Sequence, residues 1–391
     1  MPAMIRPSAS SVLGGLRSYA TAPSNRPRVA LPRARQRPSP PHLLTLADLT
    51  PAQIFFLLTS SLTFKSLAKS FSPGSVRSSL SARTIAMIFS KRSTRTRVAS
   101  ETATKLLGGH PMFLGSQDIQ LGVNETLEDT AKVVGSMVDG IMARVGEHSE
   151  IEALAKHSPV PVINALSKLY HPTQILADLM TLHETYNPVP EPPELWRGEA
   201  QSALYKHLKQ SVDPLASLRG KKMAWVGDIN NIINEIMVTV PRLGMTLAIA
   251  APKGYDTVDP AVWARVTEAG TEGSIILTND PAEALKDADV VVTDTWISMG
   301  QEQEKADRLK AFEGYQITNQ MVESAGAKPD WKFMHCLPRK PEEVDDEVFY
   351  GPRSLVFPEA ENRKWTTVAC FDAYFGRWSI PGGERKEVAF E

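Results

Sequence analysis

The stretch Thr84-Ile85-Ala86-Met87-Ile88-Phe89-Ser90-Lys91-Arg92-Ser93-Thr94-Arg95-Thr96-Arg97 decides how this 391-residue chain is read. Its first six residues are an apolar run of strand length, and the hydroxyls and cations after Phe89 open a helix that the pattern carries to about Leu107. A strand that delivers polar residues directly to a helix start is the repeating unit of parallel α/β sheets. The same alternation extends in both directions. Apolar runs at 141–145, 160–166, 223–226, 246–250, 274–277, 290–293 and 333–337 alternate with helical patterns over 125–137, 148–157, 171–186 and 230–243. Buried strands interleaved with amphipathic helices predict an α/β fold with doubly wound parallel sheets, whose ligands sit beyond the carboxyl ends of the strands. Pro51, after Asp48 and Thr50, starts a further helix with Ile54, Phe55, Leu58, Leu62 and Leu67 as its apolar stripe. Four prolines between Asn187 and Pro193 break the rhythm. Residues 187–219 therefore read as a linker, with a short helix around 199–210 and a domain boundary near residue 187.

The 43 Lys and Arg against 44 Asp and Glu give a formal charge of -1, and 42% hydrophobic residues mark an ordinary globular chain. That balance conceals an asymmetry. Residues 1–47 hold seven arginines and no Asp, Glu or Lys, which leaves 36 basic against 44 acidic residues, or -8, for the rest. An acid-free leader rich in Arg and Ser has the composition of a mitochondrial transit peptide, drawn inward by a matrix-negative potential. A solvated or nucleic-acid-binding basic tail is the alternative. Arg17-Ser18-Tyr19 before Ala20 resembles a matrix-protease cleavage context, and residues 1–41 are expected to be address and flexible leader. No apolar run reaches the ~18–20 residues of a membrane span, so no membrane partner is expected. The acidic remainder argues against a nucleic-acid partner. Cys336 and Cys370 are too few for a disulfide framework and form no CxxC pair, so no metal centre is expected, and His335 beside Cys336 is a weak metal signal.

Ser93, Thr94, Arg95 and Thr96 stand where the free amides and positive end of a helix favour an anion, and their hydroxyls and guanidinium can chelate phosphate oxygens. A solvated basic surface is the alternative. His171-Pro172-Thr173-Gln174 follows the 160–166 run and opens the next helix, so an imidazole and a carboxamide stand together at a strand end, to polarise a carbonyl or merely to cap. Arg144, near the end of an apolar strand, needs an anion, a carbonyl or an ion-pair partner. In Gly227-Asp228-Ile229-Asn230-Asn231 one glycine stands where a dinucleotide fingerprint needs three, which speaks against a pyrophosphate cofactor; no cofactor is expected. Asn231 can offer its amide to a small ligand. Asp294 opens the loop Asp294-Thr295-Trp296-Ile297-Ser298-Met299-Gly300 and suits an amine or a helix cap. Cys336 is a nucleophile or an inert buried thiol, and Arg363 is a surface charge or a second anion clamp.

Taken in order, STRTR at 93–97, HPTQ at 171–174, DTWISMG at 294–300 and HCLP at 335–338 resemble the ornithine carbamoyltransferases, and the similarity continues through 108–131 and 339–365. The first two motifs are shared in kind with aspartate carbamoyltransferases, whereas the Ser298-Met299-Gly300 loop resembles the ornithine branch. The resemblance implies two α/β domains with the active site in the crevice between them. A carbamoyl phosphate-binding domain would cover 42–186, completed by a C-terminal helix over 362–391, and an ornithine-binding domain would cover 220–361. By position, Ser93, Thr94, Arg95 and Thr96 would hold the phosphate, and Arg144, His171 and Gln174 the carbamoyl group. Cys336, Leu337 and Arg363 match further carbamoyl phosphate contacts, and Asn231, Asp294, Ser298 and Met299 match ornithine contacts. The implied catalytic set is Arg95, Arg144, His171, Asp294 and Cys336.

The resemblance also implies a homotrimer with sites between subunits, in the mitochondrial matrix. Gln120 stands where some relatives carry a His that reaches a neighbouring site, and 187–219 is an insertion the resemblance does not explain. The implied activity is carbamoyl transfer from carbamoyl phosphate, bound first, to L-ornithine, giving L-citrulline and phosphate. A sister enzyme acting on N-acetylornithine, putrescine or aspartate and a non-catalytic docking protein are the rival readings. Residues 1–40 fused to a fluorescent reporter are expected to carry it to mitochondria; a diffuse cytosolic signal would reject the leader assignment.

Overall fold

Strands β1 (Thr84–Phe89), β2 (His110–Gly115), β3 (Gly140–Arg144) and β4 (Val162–Leu166) pair in parallel in the order β2-β1-β3-β4. Strands β5 (Lys222–Val226), β6 (Thr246–Ala250), β7 (Ile275–Thr278), β8 (Val290–Thr293) and β9 (Lys332–His335) form a second parallel sheet in the order β7-β6-β5-β8-β9. The structure is a computed structural model and describes residues 40–70, 74, 76–116, 125–187, 213–297 and 304–381. Helices follow the strands: α1 (Pro51–Ser70), α2 (Thr94–Leu106), α3 (Leu127–Met137), α4 (His148–His157), α5 (Pro172–Tyr186), α6 (Asn231–Thr239) and α7 (Val356–Phe371) position the site. Central strands are buried on both faces, as Ile85 to Ile88, Ile141 to Ala143 and Val290 to Val291 show, which is why they read as unbroken apolar runs. Among the described residues no helix is long and apolar enough to cross a membrane.

Each sheet reverses its direction of winding once. From β1 the chain steps out to β2 and returns to the other side at β3; from β5 it steps to β6 and β7 and returns at β8. Such reversals leave a crevice at the carboxyl ends of the two strands that flank them. The first lies beyond Phe89 and Arg144, where Ser90 donates to the Arg144 carbonyl from its N–H (2.9 Å) and its hydroxyl (3.0 Å). The second lies beyond Val226 and Thr293, where the Thr293 hydroxyl donates to the Val226 carbonyl at 2.6 Å.

Two elements differ from the sequence reading. Strand β2, which the apolar runs do not announce, is an edge strand with mixed burial, and the edge tolerates Pro111. The last helix runs over Val356–Phe371 rather than from residue 362 to 391: it starts earlier because Pro358 falls in its first turn, where no intrahelical donor is lost, and it gives way to a π-type turn at Asp372. Arg363 is therefore mid-helix. Helix α7 lies against α1, α2 and α5 and passes into a wider π-type turn over Asp372–Arg377. The expected 199–210 helix lies outside the described residues.

The segment from His42 to Leu49 runs across both halves. Leu43 lies beside β4, its N–H donating to the Val162 carbonyl at 2.9 Å and its carbonyl accepting from Asn164 at 2.8 Å. Two residues on, the Thr45 hydroxyl and the Leu46 N–H donate to Glu235 of α6, at 2.8 Å and 2.6 Å. Burial pushes the Glu235 carboxyl up to about 8 despite those bonds. Arg242 holds the Leu46 and Leu49 carbonyls from the same side, at 3.0 Å and 2.6 Å.

Within the π-type turn the chain packs on the first sheet: a Cβ added at Gly140 would lie 2.3 Å from the ring of fully buried Phe375. Gly140→Ala is expected to cost about 1–3 kcal/mol through overpacking, read as a lower denaturant midpoint; an unchanged midpoint would show that Phe375 is not packed there.

Candidate active site

Helix α2 starts at Thr94 with Ser93 at its N-cap, and the Ser93 hydroxyl makes no capping bond, so it is not spent on the helix. One residue on, Arg95 Nη2 donates to the Leu337 carbonyl at 2.6 Å, from the first half to the loop after β9. Leu337 sits at φ 63°, a left-handed conformation unfavourable for a branched residue. Its N–H donates to His335 Nδ1 at 2.9 Å, so both of its backbone polar groups are held. Arg363 of α7 donates from Nη1 to Gln174 Oε1 and from Nη2 to the hydroxyls of Thr96 and Thr173, each at 3.3 Å. Arg144 Nε is buried with no hydrogen-bond partner among the described residues, which leaves a donor to be matched by a ligand.

The facing half contributes Asp294, directly after β8. Its Oδ2 accepts from Asn230 Nδ2 at 3.1 Å, and its Oδ1 accepts from the Thr295 N–H at 2.7 Å and the Cys336 thiol at 3.1 Å. Asn230 also caps α6, accepting from the amides of Ile232 and Ile233. The amide of Asn231 donates to the Ser167 carbonyl at 2.9 Å, linking the two halves. A cavity of about 660 Å³ opens beside the anion sequence, lined by Lys91, Arg92, Ser93, Thr94, Arg97 and Phe113 among others.

Charge divides the site. Burial, then neighbouring Arg95, lowers the Arg144 guanidinium to about 10, and burial lowers Arg363 to about 10. Burial first, and then Arg363, Arg144 and Arg95, hold His171 well below the usual imidazole range, so it is neutral at pH 7. On the other side, burial and then the Asp294 and Glu359 carboxyls push the Cys336 thiol well above its ordinary value. Ligand atoms of Asp294, His335 and Cys336 lie within 4.8 Å of one another. They are engaged already, the thiol donating to Asp294 and His335 Nδ1 accepting from Leu337, and a coordinating thiol must first lose its proton.

Both halves of this arrangement match known proteins. The family model described as aspartate/ornithine carbamoyltransferase, carbamoyl-P binding domain, matches residues 41–184, and the Asp/Orn binding domain of the same family matches 219–374. The chain belongs to the aspartate/ornithine carbamoyltransferase family. A mitochondrial ornithine carbamoyltransferase of Aspergillus terreus is 50% identical over 341 residues, 86% of this chain and 89% of that one. A mitochondrial ornithine transcarbamylase of Gallus gallus is 50% identical over 275 residues, 70% of this chain and 68% of that one. Among solved structures, a mitochondrial ornithine carbamoyltransferase of Coccidioides immitis aligns with TM-score 0.75 at 44% identity, over 87% of this chain and 99% of that one. The ornithine carbamoyltransferase of Pyrococcus furiosus aligns with TM-score 0.71 at 39% identity, over 88% and 99%.

Of the residues singled out in the sequence, Thr96, Gln174 and Arg363 meet in one hydrogen-bonded cluster, Arg95 meets Leu337, and Asp294 meets Cys336. Asn231 reaches a backbone carbonyl, and it is its neighbour Asn230 that touches Asp294. Gln120, Ser298 and Met299 lie outside the described residues. Asp178 and Glu359, both bonded to Gln174, were not singled out. The one local signal for them was a carboxylate four residues after Gln174 and another four before Arg363, each on the same helix face as its neighbour. Burial also raises the thiol of Cys370, to about 12. Both cysteines are therefore expected to react with iodoacetamide at pH 8 at least about tenfold more slowly than free cysteine; a fast-labelling thiol in the native protein would contradict this.

Proposed function

We infer that this chain transfers the carbamoyl group of carbamoyl phosphate to the δ-amine of L-ornithine, giving L-citrulline and phosphate. The observation that carries the reading is that Arg95, at the start of α2, reaches the Leu337 carbonyl while the Arg144 and Arg363 guanidiniums are electrostatic neighbours of Arg95 and Cys336, between two sheets of a carbamoyltransferase fold. Ser93, Thr94, Arg95 and Thr96 take the phosphate, with the helix start and guanidinium matching its charge. Arg144 and His171 donate to the carbamoyl oxygen, Gln174 meets the carbamoyl nitrogen, and Cys336, Leu337 and Arg363 complete the contacts. A preorganised donor of this kind is worth roughly 3–4 kcal/mol to an oxyanion transition state.

His171, with its depressed pKa, is a poor base and acts as a neutral donor. The nucleophile must be a neutral amine, and the field of Arg95, Arg144 and Arg363 favours that form. As the new C–N bond forms and the C–O bond to phosphate breaks, the amine proton needs an acceptor. The Cys336 thiol holds its own proton and donates it to Asp294, so the departing phosphate takes the amine proton. Asp294 grips the α-amine, Asn231 gives up the Ser167 carbonyl to orient ornithine, and Ser298 and Met299 complete that subsite. Carbamoyl phosphate binds first, and closing the crevice excludes the water that would hydrolyse it.

The finer setting belongs to the same proposal: a homotrimer in the mitochondrial matrix, delivered there by residues 1–41. Relatives named as mitochondrial support the compartment. Exposed Val98, Met112, Val133 and Met137 on α2, β2 and α3 support a self-association face on the first half, and Gln120 would reach a neighbouring site. A citrulline colour assay with carbamoyl phosphate and four amines tests the reaction: L-ornithine is expected to be the preferred acceptor, and preference for N-acetylornithine, putrescine or aspartate would overturn it. In the same assay Arg95→Ala is expected to lower turnover by about two orders of magnitude or more, and near-normal turnover would remove Arg95 from the mechanism.

A further inference from the structure

The Gln174 carboxamide is held at every polar position. Nε2 donates to Asp178 Oδ1 at 2.8 Å and to Glu359 Oε1 at 2.7 Å, while Oε1 accepts from Arg363 Nη1. The surroundings are sorted by side, with two carboxyls on one flank and, on the other, a guanidinium that continues to Thr96. Turning the amide over would set its oxygen against the two carboxyls and its NH2 against the guanidinium donors, so one orientation is fixed. Among the described residues the oxygen accepts only from Arg363, whose other Nη donates to Thr96 of the α2 start, and so it has a second lone pair to offer a ligand.

Glu359 has a second task. Its Oε2 accepts from the His335 N–H at 3.1 Å, immediately before Cys336. One carboxyl on α7 thus ties an amide on α5 to the end of β9. Asp178 and Glu359 face each other in full burial, where like charges cannot both persist, so the pair retains a proton. None of this is used by the carbamoyl-transfer steps.

We propose that Glu359, supported by Asp178, is a positioning residue for recognition of the acyl group: it locks Gln174 with its oxygen toward the crevice, so that the site selects an acyl phosphate bearing N–H donors over one bearing a methyl group. The proposal rests on the carbamoyl-transfer reading. A site built to accept an N–H rejects the analogue that lacks it, because the acceptor is left unmatched. The lock depends on a carboxyl in particular. Glu359 turns a different oxygen to each partner, whereas a carboxamide at 359 sets an NH2 against either the Gln174 NH2 or the His335 N–H, which weakens the hold on Gln174.

The test compares full-length wild type and Glu359→Gln for inhibition or saturation by carbamoyl phosphate, acetyl phosphate and inorganic phosphate. In Glu359→Gln the preference for carbamoyl over acetyl phosphate is expected to fall about tenfold, the scale of one lost hydrogen bond, while inorganic phosphate binds within about twofold of wild type. An unchanged preference, or equal losses for all three ligands, overturns the proposal, since a merely structural role would weaken them together. If Glu359→Gln fails to fold, Asp178→Ala, which removes one of the two acceptors, must lower the same ratio, and an unaltered ratio there overturns it. A wild type with no preference for carbamoyl over acetyl phosphate would instead reject the underlying reading of the reaction.

Discussion

Crowding of three guanidinium groups around one point is the constraint on which the site depends. Arg95, Arg144 and Arg363 come from α2, β3 and α7, and their like charges repel in a partly dehydrated crevice. Fully buried acids lie just behind them, Asp178 and Glu359, bonded through Gln174 to Arg363. The balance is incomplete by design of the packing, since a dianionic phosphate is the charge that best completes it. Burial first, and then the nearest charges, depress the imidazole of His171 and raise the thiol of Cys336: the guanidiniums act on the first and the Asp294 and Glu359 carboxyls on the second.

That arrangement needs two sheets. A single winding reversal brings residues from two strand ends together, as Ser90 and Arg144 show. The second reversal supplies the acidic partner, with Asp294 after β8 and Asn230 before α6. Bonds from Arg95 to Leu337, from Asn231 to Ser167 and from Glu359 to His335 and Gln174 then couple the halves at the place where substrates would meet. Each of these bonds lies between groups that a domain movement would shift, so the geometry of the crevice and its chemistry are set together.

Much of this was legible in the sequence. Strands buried on both faces write themselves as apolar runs, and the strand-to-helix junction that carries Ser93 to Arg97 is legible as the point where such a run ends and a helix begins. The edge strand β2 was not legible, because none of its residues is fully buried and it contains Pro111. Glu359 was not legible either: its partner Gln174 is 185 positions away, and only the packing of α7 on α5 reveals the pair. That Asn230 caps α6 and touches Asp294 while its neighbour Asn231 reaches the Ser167 carbonyl is set by backbone angle rather than residue type, so the sequence does not announce it. The start of α7 was misplaced for a related reason, since Pro358 breaks a helix interior but not its first turn.

The crossing made by residues 42–49 sets a limit on proteolytic trimming. This segment is bonded to β4 at one end and, through a short 3-10 turn at Leu46–Asp48, to Glu235 and Arg242 of the other half at its far end. A cut a few residues after His42 would strip Leu43 and Leu46 from the core and deprive the buried Glu235 carboxyl of its Thr45 and Leu46 donors. The shortest viable mature chain is therefore defined from the inside, by where the fold begins to grip its own amino terminus.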